Sequence, residues 1–256
     1  MEKEIISVMK RYELKYILTK EQVAYFQKEI LKHMKIDKYG LTTISSIYYD
    51  TPSCTLINKS IEKPAYKEKI RLRSYGLAKE NSPVFLEIKR KNEKVVYKRR
   101  IVTTEDKAYR FFNNDEEFDS EQISRELLAF KEKYEVLEPK YLIIYDRIAY
   151  YQDNSDLRIT LDMNPRYRVD ELNLHTSTEG TSLLGEGEAI LEVKVQHSVP
   201  LWLVKILNEG RIYQNSFSKV GTAHKREMSK LNQKVSMDYY PENIKIKGGY
   251  EHGVTI

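Results

Sequence analysis

Alternation of charged and apolar side chains runs through most of this sequence, and no other feature limits its fold as tightly. Residues 8–18 read VMKRYELKYIL, with Arg11, Glu13 and Lys15 on one face and Tyr12, Leu14 and Tyr16 on the other. A period of two makes a strand with one charged and one apolar face. The pattern returns in KIRLRSY (69–75), VFLEIKRK (84–91), VVYKRRIV (95–102), YLIIYDRIAYY (141–151), LRITLDMN (157–164) and AILEVKVQ (189–196). ISSIYYD (44–50) adds a strand that ends at the turn signal Asp50-Thr51-Pro52, and its Tyr48 and Tyr49 read as packing residues. About eight strands result, the count at which a closed barrel becomes natural.

Helices punctuate the strands. Thr19 is a good N-cap before a stripe of Val23, Phe26, Ile30 and Leu31. Residues 104–117 and 121–134 read as short helices with Thr104 and Ser120 as caps, and 201–213 and 218–231 as two more. The stripe Leu201, Val204, Ile206 and Leu207 is expected in the core, while 79–83 and 171–187 read as loops. The expected class is therefore α+β: a closed or nearly closed antiparallel β-barrel with flanking helices. It occupies residues 1–232, with a peripheral tail over 233–256.

Composition narrows the function. The 256 residues carry 43 basic and 38 acidic side chains, a net charge of +5, which excludes a blanket polycation but not a local concentration of charge. Apolar residues at 41% and aromatics at 11% exclude disorder as a class. Cys54 is the only cysteine, so there is neither an intramolecular disulfide nor a thiolate metal cluster. No apolar run approaches the ~20 residues that span a bilayer, and the N-terminus lacks a signal-peptide core. A soluble, cytoplasmic protein is expected.

The sign of the charged faces is the informative part. One solvated face explains any single strand, and cross-strand pairing explains the recurrent Glu-aliphatic-Lys at 13–15, 87–89 and 192–194. Yet Arg11, Lys15, Lys69, Arg71, Arg73, Lys89, Lys98, Arg147, Arg158, Lys194 and the helical Lys219 outnumber Glu13, Glu87, Asp162 and Glu192. Acidic residues gather instead in helices and loops (Glu116, Glu117, Asp119, Glu121, Glu132). A merely wet face has no reason to prefer one sign. Cations facing one another inside a barrel are costly unless an anion sits among them. Phosphate chains suit such a lumen, because Arg offers a planar fork to phosphate oxygens and Lys a point charge. A Mg2+ or Mn2+ ion prefers a few carboxylates plus phosphate oxygens, which makes Glu192 the first candidate ligand. Glu13 and Glu87 are either further ligands or anchors for neighbouring lysines.

RYELKY, YYDT, KIRLRSY, FLEIKRK, YDRIAY, RITLDMN, LEVKV and SFSKVGT, in this order over residues 8–230, resemble the VTC-type polyphosphate polymerase domain. That family belongs to the triphosphate tunnel metalloenzymes, relatives of CYTH-type triphosphatases and adenylate cyclases. The resemblance implies a tunnel that binds triphosphate with a divalent metal and transfers the γ-phosphate of a nucleoside triphosphate to a growing polyphosphate. It implies catalytic contacts from Lys15, Arg71, Arg73, Lys89, Arg147 and Lys219. Arg11, Lys69, Lys98, Arg158 and Lys194 add phosphate binding on the same faces, and Glu192 matches the metal-binding glutamate. The register of KVVYKRRIV leaves open whether Lys98 with Arg100, or Arg99 alone, faces inward. CYTH-type members open with Glu-x-Glu-x-Lys, whereas Arg11 makes this Arg-x-Glu-x-Lys. The lost carboxylate disfavours a second metal and, with it, the hydrolases and cyclases.

Eukaryotic relatives add membrane spans and a phosphate-sensing helical domain. The sequence displays neither, so coupling to translocation calls for a separate membrane subunit. Two other enzyme or binder readings stand beside the polymerase: a triphosphate hydrolase and a non-catalytic polyphosphate binder. Nucleic acid is disfavoured although Tyr and basic residues interleave in LRSYG and YKRR, because lumen charges do not reach a duplex.

Overall fold

The computed structural model describes residues 12–62, 64–93, 95–113, 118 and 121–239. Arg11, Glu116, Glu117, Asp119, the expected cap Ser120 and the tail beyond Tyr239 lie outside the described residues. In chain order the elements are β1 (Tyr12–Leu18), α1 (Lys20–Ile30), β2 (Lys35–Ile36), β3 (Thr42–Asp50), α2 (Thr55–Glu62), β4 (Tyr66–Tyr75), β5 (Val84–Asn92) and β6 (Val95–Thr103). There follow α3 (Glu105–Phe112), α4 (Glu121–Tyr134), β7 (Glu138–Tyr151), β8 (Arg158–Arg168), β9 (Thr181–Ser182), β10 (Ala189–Val195), α5 (Leu201–Glu209) and α6 (Lys219–Tyr239). The expected α+β class holds. The chain divides into two compact units, Met1–Ala223, which contains the whole sheet, and His224–Ile256, whose described part is the rest of α6. No described helix is long and apolar enough to cross a membrane.

All the ladders are antiparallel, in the order β1-β10-β8-β7-β3-β4-β5-β6, with β2 and β9 as short additions to β7 and β8. The alternation of the sequence becomes the two faces of this sheet. Its apolar face carries two cores. One joins Tyr49, Ile70, Leu72, Leu86, Ile88 and Leu142 to Phe111, Phe112, Leu127 and Phe130 of α3 and α4. The other joins Leu18, Ile159, Leu161, Leu191 and Val193 to Phe26 and Ile30 of α1 and to Leu203, Ile206 and Leu207 of α5. Each fully buried side chain of this size contributes ~1.5–3 kcal/mol, so these layers stabilise a fold whose other face is charged.

Two expectations are corrected here. The sheet is not closed: among the described residues no ladder joins β1 to β5 or β6. The free edge of β1 is already taken, because Tyr16 bridges Gln214 and the Asn215 N–H donates to the Lys15 carbonyl at 2.8 Å. The segment that follows α5 thus occupies the hydrogen-bonding groups a closing strand would need. Across that gap Lys89 Nζ of β5 still comes within 3.5 Å of Glu13 Oε2 of β1, so the far strands curl toward each other around the charged face. Second, the α5 stripe splits: Ile206 and Leu207 are buried, but Leu201 is 86% exposed and Val204 also reaches solvent.

Helix α2 has no counterpart in the sequence reading. Asp50, fully buried at the end of β3, accepts from the backbone N–H groups of Thr51, Leu56 and Ile57 at 2.7–2.8 Å. It therefore ends a strand and satisfies the start of a helix with one carboxylate. The helix carries Ile57 into a small apolar cluster with Ile44, Tyr141, Ile143 and Tyr145, together with Val220 and Ala223 from the start of α6. These strand residues lie on the charged face, so part of that face is capped rather than open.

Candidate functional site

Strand register decides which charges meet. Tyr48 stands opposite Arg71, Arg71 opposite Glu87, and Glu87 opposite Arg100. Lys69, Lys89 and Lys98 form the neighbouring row. On the far wall Lys15 faces Glu192, Glu192 faces Thr160, and Asp162 faces Arg147. Two carboxylate-centred clusters result.

The first is built on Glu87, which is 2% exposed. Its Oε2 accepts from Arg71 Nε at 2.8 Å and pairs with Arg71 Nη2 at 2.7 Å, with Arg73 Nη1 at 3.9 Å. Its Oε1 accepts from Arg100 Nε at 2.7 Å and pairs with Lys98 Nζ at 2.9 Å. Burial alone raises a carboxyl pKa, but Arg71, Arg73, Lys98 and Arg100 outweigh it and hold Glu87 far below the usual carboxylate range. Hydroxyls complete the set. Arg71 Nη1 donates to Tyr48 Oη at 3.0 Å, and Arg73 donates to Ser46 Oγ and Tyr145 Oη, both at 3.1 Å.

The second cluster is built on Asp162 and Glu192. Asp162, fully buried, takes Arg147 in a two-pronged pair at 2.5 and 2.7 Å and also binds Lys219 Nζ. Glu192 gathers Lys194 at 3.1 Å, Lys15 at 3.2 Å, Arg147 at 3.7 Å and Lys219 at 3.8 Å. Burial opposes ionisation of both acids, and the surrounding cations, Lys219 foremost, reverse it and keep both pKa values low. Tyr145 joins the clusters: Lys219 Nζ lies 4.4 Å and Arg147 5.0 Å from its ring centroid, while its hydroxyl holds Arg73.

The candidate residues Lys15, Lys98, Arg71, Arg73, Arg147, Lys194 and Lys219 therefore converge on the charged face, and Lys89 reaches it through Glu13. Lys69 lies there with no ion-pair partner among the described residues. Burial and the nearby Lys89 and Lys15 outweigh the raising influence of Tyr48 and depress its pKa to about 8. Arg158 stays apart, donating to the carbonyls of Ser155 and Leu157 at 2.9 Å. The open register is resolved: Lys98 and Arg100 face inward, whereas Arg99 turns outward to Glu126 at 3.0 Å. Tyr49 packs as expected, stacked on Phe112 at 3.7 Å, but Tyr48 holds an arginine. Ser46, Tyr48 and Tyr145 were missed as site residues, and Asp162 and Arg100 were placed on the charged faces without a role. Asp162 and Arg100 share the period-two faces of identified neighbours, which was the available signal.

Residues 10–226 match the VTC domain. The chain belongs to that family. No curated protein matched the sequence. In fold, this VTC domain is similar to a candidate adenylate cyclase from Bacillus halodurans, with 13% identity, a TM-score of 0.51 and coverage of 82% of this chain and 96% of that one. Weaker likenesses include a candidate adenylate cyclase from Vibrio parahaemolyticus (12% identity, TM-score 0.46, coverage 85% and 99%). Another is a candidate adenylyl cyclase from Hippeastrum described as having a dominant triphosphatase activity (14%, 0.47, 83% and 94%). At such identities the likeness concerns fold alone.

Among the described residues no group of three or more His, Cys, Asp or Glu is arranged to hold a metal ion. The donors for a hard cation that leans on substrate oxygens are nevertheless present. Glu13 and Glu192 both grip the Lys15 ammonium, at 3.3 and 3.2 Å, so two carboxylate oxygens already converge on one positive charge. Opposite Glu192 the buried Thr160 Oγ1 has no hydrogen-bond partner among the described residues. Carboxylate and hydroxyl oxygens completed by phosphate oxygens are the kind of donors that a hard cation such as Mg2+ or Mn2+ prefers. Glu87 is the most tightly held of the three carboxylates, with guanidinium and ammonium groups at 2.7–2.9 Å on its two oxygens, against 3.1–3.5 Å for the ammonium groups nearest Glu13 and Glu192.

That arrangement makes Glu87 a test of what keeps the cations in place. Removing one member of a buried ion-pair set costs about 3–5 kcal/mol. Glu87→Gln is expected to lose stability on that scale, and saturating inorganic tripolyphosphate to restore most of it by binding the folded state. Thermal unfolding with and without the anion measures both, and an unchanged midpoint would contradict the assignment.

Proposed function

We propose that this VTC domain synthesises polyphosphate, transferring the γ-phosphate of a nucleoside triphosphate to the end of a phosphate chain held on the charged face. The carrying observation is the excess of cations over carboxylates on a single sheet face, where Lys and Arg side chains gather around the buried Glu87, Asp162 and Glu192. Arg71, Arg73, Arg147, Lys15, Lys89 and Lys219 surround the reacting phosphates, and Lys69, Lys98 and Lys194 extend the binding track. Arg158, opposite Lys194 in the strand register, is assigned to its end.

Phosphoryl transfer passes through a loose transition state whose charge is spread over the transferring oxygens. The protein's task is then to position donor and acceptor and to stabilise that charge with preorganised donors. Glu87 and Asp162 perform the preorganisation by fixing the arginine forks before substrate arrives. The acceptor, a phosphate chain end, is already ionised near neutral pH, so no general base is needed. Glu192 and Glu13 are the residues that would hold Mg2+ or Mn2+. Such an ion would neutralise charge on the phosphate oxygens and help to orient them. The substrates in this reading are nucleoside triphosphate and polyphosphate rather than nucleic acid.

Product stoichiometry tests the reading. A polymerase converts ATP to ADP without matching release of orthophosphate. Equimolar ADP and orthophosphate would instead assign a hydrolase, and binding without turnover a polyphosphate-binding protein.

A further inference from the structure

Tyr48 is set among charges that its sequence position gave no reason to expect. Its hydroxyl oxygen accepts from Arg71 Nη1 at 3.0 Å, and the same guanidinium lies 5.8 Å from its ring centroid. The other two Arg71 nitrogens hold Glu87, so Tyr48 occupies the one direction of that fork not already committed to a carboxylate. The charges that act most strongly on the phenol are cationic. Lys69, Arg71 and Arg73 come from β4, Tyr141 stands opposite Tyr48 on β7, and Glu87 of β5 lies on the other side of the Arg71 guanidinium. α2 and the chain around the start of α6 contribute the apolar Ile57, Ile61, Phe217 and Val220 to the cluster against which Tyr48 packs.

We propose that Tyr48 is a built-in ligand of Arg71 that an incoming phosphate chain displaces, the phenolate oxygen taking up one proton from solvent as it leaves the guanidinium. The inference rests on the polyphosphate reading and adds to it a proton coupled to anion binding. Burial raises the phenol pKa, but Arg71, Lys69 and Arg73 overcome it and bring the group down to about 7. A bound phosphate chain cancels that positive potential, so the phenol returns toward its ordinary value and gains a proton. No covalent bond changes. The role is one of positioning: in the anion-free state Tyr48 keeps the Arg71 fork aimed along the sheet face, and it yields to a stronger ligand.

The test uses the full chain and inorganic tripolyphosphate without metal. Spectrophotometric titration of the wild type is expected to reveal one tyrosinate forming near neutral pH, where an ordinary Tyr remains protonated. Saturating tripolyphosphate should remove that near-ultraviolet band, and Tyr48→Phe should lack it. Tyr75→Phe is the control, because the Arg100 guanidinium, opposing burial, also lowers the Tyr75 pKa. Above neutrality the wild-type affinity should fall, relative to Tyr48→Phe, by about tenfold per pH unit, since one proton is coupled. The comparison cancels protons exchanged by the ligand, and carrying Lys69→Met in both proteins removes the proton of Lys69, whose pKa Tyr48 itself raises. Should Tyr48→Phe not fold, the wild-type band and its response to the anion decide alone. A band absent at neutral pH, or present and unmoved by bound tripolyphosphate, overturns this inference only. Absence of tripolyphosphate binding at any pH overturns it together with the proposed function.

Discussion

Arg71→Ala combined with Arg73→Ala is expected to abolish binding of nucleoside triphosphate and inorganic tripolyphosphate while the sheet stays folded. Both guanidiniums are fixed by more than one partner on the charged face. Arg71 is held by Glu87 and Tyr48, and Arg73 by Ser46 and Tyr145. Each hydrogen bond to an ionised group contributes about 1.5–3 kcal/mol, so losing one from each arginine weakens binding roughly a hundredfold to ten-thousandfold. Folding is spared for two reasons. Glu87 keeps Lys98 and Arg100, so its charge is not orphaned, and the opposite face of β4 still buries Ile70 and Leu72. Calorimetric titration and circular dichroism read the two effects separately. Affinity within about threefold of wild type would remove the arginine forks from the anion site.

Glu192→Gln is the second large effect, and it falls on turnover. A metal contribution of several kcal/mol corresponds to about a thousandfold or more in rate. Nucleotide binding survives, because Asp162 alone retains Arg147 and Lys219. Lys15 likewise retains Glu13. The expected signature is therefore loss of metal-dependent turnover with measurable nucleotide affinity. Full activity in this variant would refute the assignment of Glu192, and loss of binding along with turnover would make it an anchor like Glu87.

Much of this was legible in the sequence because a strand's period of two writes its faces directly. Lys69, Arg71 and Arg73 share a face in the sequence and share one in the sheet. The excess of cations on those faces was equally visible, since it needs no knowledge of which strands pair. Whatever depended on pairing was not. Sheet closure turned on residues 214–215, nearly two hundred positions from the edge of β1 that they occupy. Whether Lys98 or Arg99 faces inward followed from the Glu87–Arg100 register, which no local pattern fixes. Helix α2 is only eight residues long, and isolated helices of that length have little intrinsic stability. It forms because a buried carboxylate at the end of the preceding strand caps it. Tyr48 looked like packing for a similar reason: a tyrosine in an apolar stretch reveals nothing of the arginine that β4 places beside its hydroxyl.

The central claim is that the charged face builds phosphate chains rather than merely holding or cleaving them. Incubating the protein with ATP and Mn2+ and staining the products for polyphosphate on a gel tests it most directly. The account predicts long chains that lengthen with time and disappear in Glu192→Gln. Release of free orthophosphate alone, with no stained chains at any time, would contradict it.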